Sequence, residues 1–180
     1  MTRWLLTKLL KWGEKQIGGV SMDYAYHLRD VAPARLWRFT FIKVVEGNRK
    51  FTPADAYHAA GMAAAMVEDC GPCVQIHVNL ALKDGVAPDI LRALAARRLD
   101  EVPKPVALAF KYGEAASQGV MAEELRDEIR AKWGEQGLIE LAFTIATARF
   151  YPGLKRALGY GHTCERVVVG DRVTMTAKAA

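Results

Sequence analysis

The sequence predicts an all-α fold. Three observations carry that expectation. Apolar residues recur at helical spacing through most of the chain, and Pro or Gly punctuates these stretches where helices start and stop. Only a short segment near the C-terminus has the β-branched texture of strands.

Taken in order, residues 2–16 form an amphipathic helix, with Leu5, Leu6, Leu9, Leu10 and Gly13 on one side and Lys8, Lys11 and Lys15 on another, stopped by Gly18-Gly19. Trp4 and Trp12 offer this helix to a membrane surface or a partner chain; the alternative is packing on its own domain or on a neighbouring subunit. A helical pattern from Asp30 to Lys50 ends in Glu46-Gly47-Asn48 and contains the Trp37-Arg38-Phe39-Thr40-Phe41 cluster, a core or interface element. Thr52 is the expected N-cap and Pro53 the first residue of an Ala- and Met-rich helix running to Val67. Glu68-Asp69 ends it, and the next helix runs from Gly71 to Lys83, closed by Asp84-Gly85. Further helices are expected at 88–99, 104–117, 121–132 and 135–157, followed by a hairpin or extended arm around Gly170-Asp171. The expected organisation is a helical extension (1–49), a helical domain (50–160) and a tail (161–180).

Composition narrows the function classes. No apolar run approaches the roughly 18 residues of a membrane span, and Lys8 and Lys11 interrupt the apolar run after Arg3, so no signal peptide is read and the expected address is cytoplasmic. The net charge of +5 is spread over Lys and Arg interspersed with Asp and Glu, a distribution that argues against a nucleic-acid face. Three cysteines in such a chain are not a disulfide framework, and two of them stand three apart as Cys70-Gly71-Pro72-Cys73. That spacing points to redox or metal chemistry.

On a helix at about 100° per residue, Cys70, Cys73 and His77 fall within a sector of about 60°. Pro72 is best tolerated in a first turn, so the pair belongs at a helix N-terminus, where unpaired N–H groups favour a thiolate. His77, one turn beyond Cys73, has the spacing a general base needs to activate a thiol. A zinc site is the competing reading, with His162 and Cys164 as further ligands. Cys164 otherwise reads as a small apolar residue, and His27 as structural. The tetrapeptide is shared with the thioredoxin active site, but here it follows a helix and no strand precedes it, which excludes that fold.

Cys70-Gly-Pro-Cys73-Val-Gln-Ile-His77, followed by Val78-Asn-Leu-Ala-Leu-Lys-Asp-Gly85-Val and Ile90-Leu-Arg-Ala-Leu, resembles the AhpD-like, carboxymuconolactone decarboxylase superfamily. A weaker likeness runs from Leu138 through Gly159, similar to the closing helix of that family. The resemblance spans about residues 50–160. It implies an all-helical fold working as a homo-oligomer, a trimer or a multiple of one. It also implies reduction of a hydroperoxide or disulfide substrate, with an external dithiol reductant and no cofactor. Cys73 would be the attacking thiolate, Cys70 the resolving thiol and His77 part of the proton relay. The family's usual Glu, twelve residues before the first cysteine, is His58 here; either His58 takes over the relay or Glu68 substitutes by another geometry. Two alternatives stand beside this expectation: a lactone decarboxylase-like enzyme that does not use the cysteines, and a zinc-stabilised or purely helical interaction module.

Overall fold

The structure, a computed structural model, describes residues 3–161 and 166–176. It is mostly helical, in the order α1 (Arg3–Gln16), α2 (Asp23–Val31), α3 (Pro33–Phe39), α4 (Ile42–Glu46), α5 (Ala54–Val67), α6 (Gly71–Lys83), α7 (Pro88–Ala95), a 3-10 turn (Leu99–Glu101), α8 (Lys104–Ser117) and α9 (Glu123–Ala157). Two strands, β1 (Arg166–Val169) and β2 (Arg172–Met175), follow.

α5 is the central element. From Ala56 to Met66 every residue is buried, and the helix lies against α6, α8 and α9. Small side chains make this possible, because Ala59, Ala60, Ala63, Ala64 and Ala65 let neighbouring backbones approach on several sides. The closest approach is to α8 at Gly113, where a Cβ would stand 2.9 Å from Ala60 Cα and nearer still to its carbonyl oxygen. Two apolar clusters flank α5. One gathers Met62, Met66, Val74, Val78, Leu91, Leu94 and Phe110, and the other Tyr57, Ile129, Leu138, Leu141 and Ile145.

A third cluster joins the N-terminal helices to the far end of α9, with Leu6, Leu10, Tyr24, Ala25 and Leu36 packed against Leu154, Leu158 and Tyr160. On α1, Leu6 and Leu10 are the residues that turn inward, while Leu5 of the expected apolar face is exposed along with Trp4 and Trp12. The aromatic cluster divides between roles. Phe39 meets the rings of Tyr24, Phe150 and Tyr151, whereas Trp37 and Phe41 stack edge to face in the open.

The structure corrects several element boundaries. The single helix expected over 30–50 is three short ones. Pro33 lacks an N–H and restricts Ala32 to φ −141°, which ends α2. Thr40 turns its hydroxyl onto the Trp37 carbonyl at 2.7 Å and competes with the helical ladder. Thr52 is not the N-cap of α5: Pro53 occupies that position, and the helix starts at Ala54. The Thr52 hydroxyl donates instead to Glu140 Oε2 at 2.6 Å, and the same carboxylate accepts the Thr52 N–H at 2.8 Å. A charged acceptor outcompetes the weaker local cap. The helix starting at Pro88 ends at Ala95 rather than 99, because Arg97 adopts φ +57°. The two final helices meet as one stretch broken at Gly134, whose φ of +70° and extended ψ are open to glycine.

The tail forms a hairpin, with Arg166 opposite Met175 and Val169 opposite Arg172 around a turn in which Gly170 has φ +66°. Val167 and Val169 enter the first cluster. Gln75 of α6 holds the open edge of β1, donating to the Val168 carbonyl at 2.8 Å and accepting its N–H at 2.7 Å, so a side-chain amide replaces a third strand.

Replacing Gly113 by Ala tests the α5–α8 contact. Overpacking at an unyielding backbone contact costs about 1–3 kcal/mol. In a chain of 180 residues this lowers Tm by roughly 2–12 °C in thermal unfolding followed by circular dichroism. An unchanged Tm would mean that the helices are free to separate there.

Candidate active site

The site begins where α5 ends. Asp69 takes the left-handed conformation at φ +47°, a conformation that Asp tolerates better than most side chains. The Cys70 N–H then donates to the Ala65 carbonyl at 3.3 Å and the Asp69 N–H to the Met66 carbonyl at 3.0 Å, closing α5 in a Schellman arrangement. Cys70 is at the same time the N-cap of α6, its carbonyl accepting from the N–H groups of Cys73 and Val74, both at 3.0 Å. Gly71 and Pro72 form the first turn, as the sequence indicated, and Cys73 closes it.

Cys70 and Cys73 are joined in a disulfide with Cα atoms 5.3 Å apart, within the usual span for such bonds. Both residues are buried, at 4% and 5% exposure. Opposite them stands a residue that sequence reasoning did not select. Lys155 of α9 directs its Nζ to within 3.6 Å of Cys73 Sγ and to 5.2 Å from the centre of the Tyr24 ring. It is 4% exposed, and burial alone pushes its ammonium down to about 8. Tyr24 belongs to α2, which therefore helps to enclose the ammonium. Burial, with a smaller contribution from Tyr151, raises the Tyr24 phenol well above its ordinary value, so it faces Lys155 as a neutral ring.

His77 lies one turn beyond Cys73 on α6. Its imidazole occupies the space left by Gly61 of α5, where a Cβ would come within 2.5 Å of Cε1, 2.9 Å of Nδ1 and 3.1 Å of the Thr144 hydroxyl. Burial, reinforced by His58 and Lys43, pushes His77 down to about 3, so the ring is neutral at physiological pH. Thr144 connects this pocket to Glu46, whose Oε1 also accepts the Tyr57 hydroxyl at 2.6 Å while Lys43 pairs with Oε2 at 2.8 Å. Glu46 and Tyr57 were not singled out from the sequence either.

The remaining two candidates have other partners. His58, buried on α5, bonds through Nε2 to Asp84 Oδ2 at 2.8 Å. Burial lowers its imidazole below the ordinary value, against the opposing pull of Asp84. Glu68 is gripped by two arginines of α9. Arg149 Nε donates to Oε1 at 3.0 Å, and Arg156 reaches Oε2 and the Glu68 carbonyl. Burial would raise the carboxyl, but the hydrogen bonds and charges of Arg156 and Arg149 together hold it below its ordinary range. The same clamp fastens α9, and with it Lys155, to the end of α5.

Among the described residues no cluster of three or more His, Cys, Asp or Glu is arranged to hold a metal; His162 and Cys164, the expected further zinc ligands, lie outside the described residues. No described helix is long and apolar enough to cross a membrane. No family model, curated protein or solved structure matches the chain.

The depressed His77 imidazole makes stability depend on pH. A base whose folded-state value lies below its ordinary 6.5 binds its proton in the unfolded chain first, so stability is full above that value and falls as pH drops from 6.5 towards about 3. His77→Gln is expected to flatten this part of the profile: the Tm difference between pH 7 and pH 4.5 should be smaller in the variant than in the parent. Equal differences would show that His77 is not held as a neutral ring in the folded protein.

Proposed function

We propose that the protein is a thiol–disulfide oxidoreductase of the AhpD-like type, with reduction of a hydroperoxide as its reaction. The observation that carries this reading is a buried Cys70–Cys73 disulfide at the N-terminus of α6, with His77 one turn further along the same helix. A structural disulfide needs no helix start beneath it, whereas an attacking thiolate is stabilised by the unpaired N–H groups there.

The cycle has three steps. The Cys73 thiolate attacks the distal peroxide oxygen of ROOH. An S–O bond forms, the O–O bond breaks, and the leaving alkoxide takes a proton to give ROH and a sulfenic acid on Cys73. The Cys70 thiol then attacks that sulfur, forming the disulfide and releasing water. An external dithiol next reduces the disulfide and is itself oxidised to a disulfide. His77 serves as the proton carrier for this cycle. Its ring is neutral at physiological pH, which leaves a ring nitrogen open to take up a proton in passing, and its position one turn from Cys73 supports the role. His58, buried, bonded to the exposed Asp84 and close enough to influence His77 electrostatically, supports the relay from behind. Glu68, with both carboxylate oxygens held by arginines, acts in this reading by fixing α9.

The burial of both sulfurs favours a small substrate over a folded protein disulfide. We also read the chain as a homo-oligomer: Val44, Val45, Phe143 and Phe150 are exposed apolar side chains on α4 and α9, which adjoin each other, and association is a common way of covering such a surface.

Turnover of an organic hydroperoxide with a dithiol reductant tests the reading. Cys73→Ser should abolish turnover. Cys70→Ser should allow one oxidation, trapped as a sulfenic acid, and no cycle. His77→Gln should slow turnover by about 10²-fold or more. Lactone decarboxylation that persists when both cysteines are replaced by serine would overturn the assignment in favour of chemistry independent of the thiols.

A further inference from the structure

We propose that the Lys155 ammonium is the counter-ion of the Cys73 thiolate, selecting Cys73 over Cys70 as the reactive sulfur and making the disulfide easier to reduce. The proposal rests on reading Cys70–Cys73 as a working redox pair and adds to it the group that sets its chemistry.

The argument begins with what Lys155 lacks. A fully buried ammonium is costly unless it is paired. Among the described residues no carboxylate is paired with Nζ, and loss of solvent lowers the ammonium's proton affinity. Its neighbours are the face of Tyr24 at 5.2 Å and Cys73 Sγ at 3.6 Å. In the disulfide, that sulfur is a weak, neutral acceptor. Once the bond is reduced, the same sulfur can carry a full negative charge, and the lysine gains the partner it lacks in the oxidised protein. The reduced state is therefore favoured by an interaction that the oxidised state cannot make.

The other titratable groups around Lys155 do not supply that charge. Tyr24 from α2 stays a neutral phenol. Tyr151, one turn earlier on α9, is pushed up to about 12 by burial first and by Glu46 second. Glu68 and Arg156 at the junction of α5 and α9 are paired with each other. Cys73 is left as the natural anion for Nζ.

The atoms and electrons balance with the dithiol already named. A thiolate of the reductant attacks Cys70 Sγ, forming a mixed disulfide, and the Cys70–Cys73 bond breaks with its electron pair on Cys73. Lys155 receives that leaving thiolate. The second thiolate of the reductant then attacks its own sulfur in the mixed disulfide, closing the reductant's disulfide and expelling Cys70, which takes up a proton. A leaving group stabilised as an anion leaves faster.

Two measurements on the full-length protein test the proposal. In the first, the reduced protein is alkylated with iodoacetamide across pH 4–10, and the rate at Cys73 is read by peptide mass spectrometry. Lys155→Met should move the midpoint of the Cys73 profile up by at least about one pH unit, a tenfold loss of thiolate at a fixed pH below it. Lys155→Arg should restore most of the shift. The second needs no variant that might fail to fold. Lysine side chains labelled with carbon-13 at Cε are titrated in the oxidised and reduced wild-type protein. By linkage, Lys155 should titrate near 8 with the disulfide closed and well above it once Cys73 is a thiolate. A Cys73 midpoint unchanged in Lys155→Met, or the same lysine titration in both redox states, overturns the counter-ion role and leaves the redox cycle standing on the helix N-terminus alone. Failure of the cycle itself is read separately, as wild-type protein that a hydroperoxide does not oxidise.

Discussion

The fold depends on how closely α5 and α8 approach. Gly113 brings α8 against the backbone at Ala60, and the alanines of α5 allow other helices to close in around it. A helix buried along most of its length cannot shift without disturbing each neighbour, because close-packed interiors resist small displacements. Its C-terminus is correspondingly well fixed. Cys70, placed at once at the end of α5 and the start of α6, inherits that position. The pocket for His77 follows from the same small-residue pattern, since Gly61 provides the room its ring occupies.

Electrostatics then separates the two cysteines. Both belong to the opening of α6 and both benefit from its unpaired N–H groups. Among the described residues the cation is bonded at the sulfur of Cys73 and not of Cys70; it is carried by α9 and lies over the Tyr24 ring of α2. The Glu68 clamp holds α9 to the end of α5 through Arg149 and Arg156, so the lysine and the disulfide it faces share one rigid support. The N-terminal helices contribute to the same enclosure. They supply the Tyr24 ring, and through Glu46 they approach the Thr144 side of the His77 pocket.

Much of this was legible in the sequence. The Ala- and Met-rich helix, the helix opened by Gly71-Pro72 and closed by Asp84-Gly85, and the terminal hairpin all follow local signals that tertiary packing does not oppose. Local signals failed where distant groups intervened. Thr52 looks like an N-cap until Glu140, 88 residues away, takes its hydroxyl. Lys155 is not marked by local pattern because its partner is 82 residues distant, and a lysine on a helix ordinarily reads as solvated. Its register carried a clue: it continues the buried stripe of Leu141, Thr144, Ile145, Ala148 and Pro152, where a charge is out of place unless something pairs with it. Glu46 and Tyr57 meet only after the chain has turned through α4 and α5, and no spacing rule joins them.

The account is tested most directly by counting thiols in reduced, metal-free protein before and after one equivalent of an organic hydroperoxide, with each cysteine mapped by mass spectrometry. It predicts the loss of two thiols, at Cys70 and Cys73, their linkage to each other, the survival of Cys164, and full recovery on adding a dithiol. Retention of all three thiols after the peroxide, or oxidation that falls on Cys164 alone, would contradict it.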